Sequence, residues 1–334
     1  MRRPRHPFRI AALVVVAVVL VAAAWIRLPY YAVGPGPARD VMPLISFTGH
    51  PRYEPGVNSA LEMTTVRYYQ VSPLQALAVW LGVERDQTLV SQKLLYPTGD
   101  VALENQRSIS EMDQSKIDAT WVVLRRLTDY PKEHGDGALI ESTVTGCSAD
   151  GRLFPGDVIT AIDDHPVHDT KDVRRILRHA GEGQRLSFTL NVDGTVEHAT
   201  FARQPCGPNK ELLVGFSSLN AFPFPVSISS DDIGGPSAGL MWAVGLYELM
   251  TPGDLVAGRK IAGTGTIDLA GKVGPIGGIQ DKVVAAQRAG AQIFLAPAEN
   301  MPELQGVDTG NMQVVSVATF ADAIRALRPG GTTT

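Results

Sequence analysis

The sequence predicts an α+β protein of about two compact modules behind an N-terminal transmembrane helix. Three observations predict this. An uncharged, mostly apolar run from Ile10 to Ile26 follows a basic start. From Gly137 to Arg203, short strand-like stretches alternate with turn residues around one helix-like stretch. From about Gly207 to Arg328, a strand-like stretch and longer apolar stretches surround glycine-rich turns. The length of 334 residues suits two domains of roughly 150 residues each. A hydrophobic content of 44% is enough to bury sizeable cores.

The run from Ile10 to Ile26 is close to the roughly 17–25 residues that cross a bilayer as a helix. Arg2, Arg3, Arg5 and Arg9 precede it, which places a tail at residues 1–9 in the cytoplasm and the rest of the chain outside. Trp25 and Tyr30-Tyr31 suit an interfacial aromatic belt and favour a retained anchor at residues 10–26. Ala22-Ala23-Ala24 offers an A-x-A site, so a cleaved signal peptide is the competing reading. The net charge is only -4, but arginines crowd the N-terminus and leave the remainder more acidic. That balance argues against a nucleic-acid partner.

Two cysteines, Cys147 and Cys206, flank the middle module. In an oxidising compartment they can form a disulfide, and two free thiols are the alternative. No C-x-x-C occurs and His165-x-x-His168 has no cysteine beside it, so neither a metal nor a cofactor is expected.

Residues 27–130 read as a membrane-proximal segment with no assigned chemistry. Leu61 to Val66 is strand-like, and Ser110 to Leu127 reads as a long helix. The middle module, residues 131–205, is more specific. Ala138-Leu139-Ile140 reads as a strand, Leu153 to Ile162 as a turn and strand, and Asp169 to Ala180 as a helix. Leu186 to Val192 alternates as a strand, and Asp193-Gly194 is a hairpin turn. The run L-x-P-G-D-x-I-x-x-I within this pattern resembles a PDZ domain. PDZ domains add an extended peptide as a strand beside a helix. The resemblance implies a peptide groove formed by Gly137, Ala138, Leu139 and Ile140 and walled by Val173 and Leu177. The loop lacks the second glycine of the usual G-[LF]-G-F form, and a domain that only gates or spaces its neighbour is the alternative.

The third module, residues 207–328, contains Gly234-Gly235-Pro236-Ser237-Ala238-Gly239 ahead of an apolar stretch to Met250. Pro236 suits the first position of a helix, which puts Ser237 in a first turn whose backbone N–H groups lack intrahelical partners. Such donors, at Ser237 and Ala238, are what an oxyanion requires. The bland reading is a turn that caps a buried helix. The G-x-S-x-G pattern also fits the elbow of α/β-hydrolases, which needs a later histidine; the last histidine here is His198.

A serine without histidine can use lysine as its base. Lys260, Lys272 and Lys282 follow Ser237. Lys282 lies about 60° from the apolar stripe Ile279, Val283, Ala286, at 100° per residue. A partly desolvated lysine has a lowered pKa, as a base near neutral pH requires. The bland reading is a packed stem with a solvated head.

The combination of G-P-S-A-G, Thr264-Gly265-Thr266-Ile267 and Pro275-Ile276-Gly277-Gly278 leading to Lys282 resembles the Lon peptidase domain. That resemblance implies Ser237 as nucleophile, Lys282 as base and Thr264 as a hydrogen-bonding support. Many Lon domains carry an acidic residue three before the serine, where this chain has Gly234. No G-x-x-x-x-G-K-[ST] occurs. Taken with the predicted anchor, the chain resembles membrane-anchored, ATPase-free, PDZ-bearing Lon-like serine proteases. This implies an ATP-independent endopeptidase that cuts flexible or unfolded protein segments, with a PDZ peptide ligand and a hexameric homo-oligomer as implied partners. The alternatives are a PDZ scaffold or regulator with an inactive Lon-like domain, or one that cleaves only itself.

Overall fold

The computed structural model describes residues 7–84, 86–207, 209–210 and 214–328. Helix α1 spans Pro7–Trp25 and strands β1 (Tyr30–Asp40), β2 (Ile45–Phe47) and β3 (Ala60–Gln70) follow. Helix α2 (Pro73–Trp80), strand β4 (Thr88–Ser91) and helices α3 (Gln92–Leu95) and α4 (Val101–Leu127) come next. The middle segment holds strands β5 (Ala138–Thr143), β6 (Val158–Ile162) and β7 (His165–Pro166). It continues with helix α5 (Thr170–His179) and strands β8 (Arg185–Val192) and β9 (Thr195–Ala202). Strands β10 (Phe216–Asn220) and β11 (Val226–Ile228) lead to helix α6 (Gly239–Met250). Strands β12 (Lys260–Gly263), β13 (Thr266–Ile267) and β14 (Val273–Gly274) precede helix α7 (Ile279–Ala289). Strands β15 (Ile293–Pro297) and β16 (Gln313–Val317) and helix α8 (Phe320–Leu327) close the order.

The larger sheet runs β16-β15-β12-β3-β1-β4. Its strands β3, β12, β15 and β16 are parallel, whereas β1 is antiparallel to both β3 and β4. Successive strand side chains point to opposite faces, and here both faces are covered. Ile261 and Leu295 join the core beneath α4, α6 and α8. Their neighbours Ala262, Phe294 and Ala296 pack on Ile279, Val283 and Ala286 of α7. Strands buried on both faces carry near-continuous apolar sequence, as Ile293 to Pro297 does. Helix α6 is apolar nearly all round and is enclosed by the core.

The segment before the PDZ-like module is part of this sheet. Strand β3 pairs residue for residue with β12, Leu61 opposite Ile261 and Met63 opposite Gly263. Helix α4 begins earlier than the predicted Ser110. Asp100 accepts hydrogen bonds from the amides of Ala102 and Leu103 at 3.0 and 3.1 Å and caps it. Glu104 in its first turn and Arg125 and Arg126 in its last complement the helix dipole.

The second sheet, β10-β5-β6-β8-β9, is antiparallel, with β7 beside β6. Its core centres on Phe188, stacked on Phe201 with ring centroids 4.7 Å apart, and on Val173 of α5. Cys147 and Cys206 are joined by a disulfide.

Helix α1 is not the predicted transmembrane helix. Helix α1 ends at Trp25, and among the described residues no helix is long and apolar enough to cross a membrane. Its uncharged part, from Ile10 to Trp25, spans about 24 Å at 1.5 Å per residue, short of a hydrocarbon core about 30 Å thick. The single-pass topology falls with it, and so does the placement of the chain's body outside a membrane. Residues 1–6 of the predicted basic tail lie outside the described residues. The fold is mixed α/β, and among the described residues no helix crosses a membrane.

The disulfide closes a loop with a sequence separation of 59 residues. Loop-closure entropy makes its removal cost roughly 2–4 kcal/mol. Urea unfolding of the oxidised chain and of a Cys147→Ser/Cys206→Ser chain should show that loss as a lower midpoint, with a steeper slope because the unbridged unfolded chain exposes more surface.

Candidate active site

Three segments converge on Ser237. The first is the turn that carries it. Gly235 has φ 81°, a left-handed value that glycine tolerates. Pro236, Ser237 and Ala238 then form one 3-10 turn ahead of α6. The serine therefore precedes the α-helix instead of opening it.

The second segment is the end of β12. There the chain turns outward at Thr264 and Gly265. The Gly265 amide donates to the Ser237 carbonyl at 2.8 Å, and the Thr264 hydroxyl donates to the same oxygen at 3.0 Å. The Leu240 amide returns a bond to the Gly265 carbonyl at 3.0 Å. These bonds lock the serine's backbone to the sheet.

The third segment is the first part of α7. Gly278, in the left-handed region at φ 68°, redirects the chain into this helix, and Gly290 at φ 77° ends it. The helix packs on β1 and β3. Lys282 consequently points inward and is only 3% exposed. Its Nζ lies 2.6 Å from Ser237 Oγ and 2.9 Å from Thr264 Oγ1. Both partners are neutral hydroxyls. Burial pushes the ammonium down from its ordinary value to about 8.

A cleft of about 520 Å³ opens onto this cluster. One wall is β3 from Met63 to Tyr68, and the other is the loop from Asp231 to Gly234. Arg39 of β1 pairs with Asp231 at 2.8 Å at its exposed rim. The hydroxyl, the weakly basic amine and the cleft together can deliver a nucleophile to an extended chain.

Sequence reasoning missed the contribution of α4. The Gly235 amide donates to the Ser108 carbonyl at 2.7 Å, and Ser115 Oγ donates to the Pro236 carbonyl at 3.0 Å. Indole Nε1 of Trp242 reaches the Met112 sulfur at 3.4 Å. Ser108, Met112 and Ser115 fall at i, i+4 and i+7, one helix face. The two serines flanking Met112 on that face were the available signal. Gly239 is also required here, since a Cβ would stand 2.6 Å from Ser115 Oγ.

The residues of the expected peptide groove are brought together. Ala138 to Ile140 lie on β5, preceded by Gly137, and Val173 and Leu177 lie on α5. Strand β10 runs along the edge of β5 and touches α5. Among the described residues no cluster of His, Cys, Asp or Glu is arranged to hold a metal ion.

Residues 229–327 match the Lon protease (S16) C-terminal proteolytic domain, and residues 139–191 match a PDZ domain. The chain carries both domains. The Lon protease of Rickettsia prowazekii is 35% identical over 156 residues, covering 45% of this chain and 20% of that protein. The Lon protease of Roseiflexus castenholzii is 43% identical over 83 residues, covering 25% of this chain and 10% of that protein. The chain thus spans a fifth or less of the length of these relatives. A PDZ domain of an SdrC-like protein from Listeria innocua is 19% identical, covering 25% of this chain and 93% of that one, with a TM-score of 0.23. The Lon matches support a serine peptidase.

Lys282 also bears on stability. Its folded pKa lies below its unfolded value, so between pH 8 and about 10.5 the unfolded chain binds more protons and stability rises with pH. Below pH 8 the buried ammonium carries its full cost. Lys282→Met should therefore stabilise the chain by roughly 1–3 kcal/mol at pH 7. The gain should shrink as pH rises toward 10, read by urea unfolding at several pH values.

Proposed function

We propose that the chain is an ATP-independent serine endopeptidase that uses a Ser237–Lys282 pair to cut flexible or unfolded protein segments. The observation that carries this reading is the 2.6 Å contact between Lys282 Nζ and Ser237 Oγ at a lysine almost sealed from solvent. A charged lysine at that spot could not take a proton. Burial holds a usable fraction of it neutral near physiological pH.

In this reading neutral Lys282 accepts the Ser237 proton as Oγ attacks a peptide carbonyl. The resulting oxyanion is held by backbone N–H groups of Ser237 and Ala238 in the turn before α6. Protonated Lys282 then gives its proton to the leaving amine as the C–N bond breaks. Water, deprotonated by the same amine, releases the acyl group and restores the serine. Thr264 accepts one Nζ hydrogen and so aims the amine at Ser237. Its own hydroxyl hydrogen goes to the Ser237 carbonyl, which leaves its lone pairs for the lysine.

The shape of the cleft supports this substrate class. It takes an extended strand between β3 and the 231–234 loop. A compact domain would have to unfold to enter, so this reading assigns the cleft flexible or unfolded segments. The PDZ domain and the proteolytic domain both fit peptide or protein substrates.

The test is cleavage of an unfolded protein without ATP. Ser237→Ala and Lys282→Ala should each lower kcat by about a thousandfold or more. Thr264→Val should lower it less, with KM little changed. Equal activity in wild type and Ser237→Ala would overturn the reading. The pH profile is a second check. The neutral amine is the active form, so kcat/KM should rise about tenfold from pH 6 to 7 and level off above pH 9. The midpoint should lie near 8.

A further inference from the structure

A PDZ domain captures a peptide as an added strand between its first long strand and its helix, with backbone amides receiving a terminal carboxylate. The corresponding edge in this chain is the side of β5 away from β6. That edge is already paired. Strand β10 runs antiparallel to β5, with Ser218 opposite Ile140, Leu219 opposite Leu139 and Asn220 opposite Ala138. On its other edge β5 pairs with β6 through Ala138 and Leu139.

The contacts of β10 reproduce those of a bound peptide. The Phe216 side chain packs into the domain core and meets the Phe188 ring edge-on at 6.1 Å. Asn220 Oδ1 accepts from both the amide and the hydroxyl of Thr170, at the start of α5, each at 3.1 Å. Where a terminal carboxylate would sit, the chain continues. The Ala221 amide donates to the Gly137 carbonyl at 3.1 Å, and the Ala221 carbonyl accepts from the Gly135 amide at 3.0 Å. The Gly137 amide donates to the His168 carbonyl at 2.9 Å. The Gly135 and Gly137 amides are thus already committed to backbone carbonyls.

The upstream end of the strand is held as well. The Val144 amide donates to the Gly215 carbonyl at 2.8 Å, and Gly215 lies against the Cys147–Cys206 disulfide.

We propose that the PDZ groove is a surface for an internal extended segment, and that its resident occupant is the chain's own strand β10. An outside partner must be an extended segment that reproduces the spacing of Phe216, Ser218 and Asn220 and displaces this strand. A free C-terminus is not what the groove is built to read.

The test uses the whole chain carrying Ser237→Ala, so that the probe stays intact. The probe is a fluorescent peptide copying residues 214–222 with both ends blocked, and a second copy ending at Asn220 with a free carboxylate. By anisotropy, the blocked peptide should bind a Phe216→Ser/Asn220→Ala chain at least tenfold more tightly than the chain with native β10. The free-ended copy should bind that variant no more tightly than the blocked one. Equal binding to native and variant β10, or a requirement for the free carboxylate, would overturn the proposal. Hydrogen exchange on the unaltered chain decides the matter if the variant does not fold. Residues 216–220 should be protected to the same degree as 138–143, and exchange of 216–220 at the rate of an exposed loop would equally overturn it. Neither readout depends on peptidase activity, so failure here is separate from failure of the proposed function.

Discussion

Burial of Lys282 against two hydroxyl groups is the constraint around which the rest of the molecule is arranged. An amine sealed from water and given no carboxylate partner stays folded at neutral pH only at a cost in stability. The apolar contacts on both faces of the larger sheet must offset that cost. Helix α7 cannot rotate the amine away, because Ile279, Val283 and Ala286 are committed to the core beside it. Thr264 and Ser237 cannot drift, because the Ser237 carbonyl is gripped by both the Thr264 hydroxyl and the Gly265 amide. The strain is local and the support is global, the usual distribution at a site built for chemistry.

That support comes from segments far apart in the chain. Strand β3 sits between β1 and β12, and the entire PDZ-like module is inserted between β3 and β12. Helix α4 lies between them in sequence and presses on the serine's turn through Ser108 and Ser115. One cleft wall, the β3-β1-β4 half of the sheet and the clamp on the turn are therefore supplied from outside residues 229–327, the part that matches the Lon proteolytic domain. A domain defined only by those residues would lack one side of its own cleft.

The PDZ-like module is connected to the same framework. Its first strand β5 is flanked by β6 and by β10, and β10 leads through β11 to the loop that lines the cleft. Leu139 and Leu219 pack with Ile117 of α4. The two modules share an apolar seam and do not merely hang on a linker.

Local chemistry was legible in the sequence. Gly-Pro-Ser-Ala-Gly determined a turn that presents Ser237 at the head of an apolar helix, since Pro236 and the glycines restrict the backbone there. The helical phase of Lys282 relative to Ile279, Val283 and Ala286 determined that its stem leaves on the inner side. The alternation of Leu186 to Val192 and the turn at Asp193-Gly194 determined the hairpin of the middle module. What phase cannot determine is how much protein covers the direction it points to. Only the packing of α7 across β1 and β3 took Lys282 from the margin of its apolar stripe to 3% exposure and set it 2.6 Å from Ser237. The same reason hid the roles of Ser115 and of β10. A hydroxyl on a helix face and a short strand with one large side chain acquire meaning from partners about a hundred residues away, and those partners are set by long-range pairing. The apolar run at the N-terminus is the converse case. Its composition was plain in the sequence, but where the helix ended was settled by the structure.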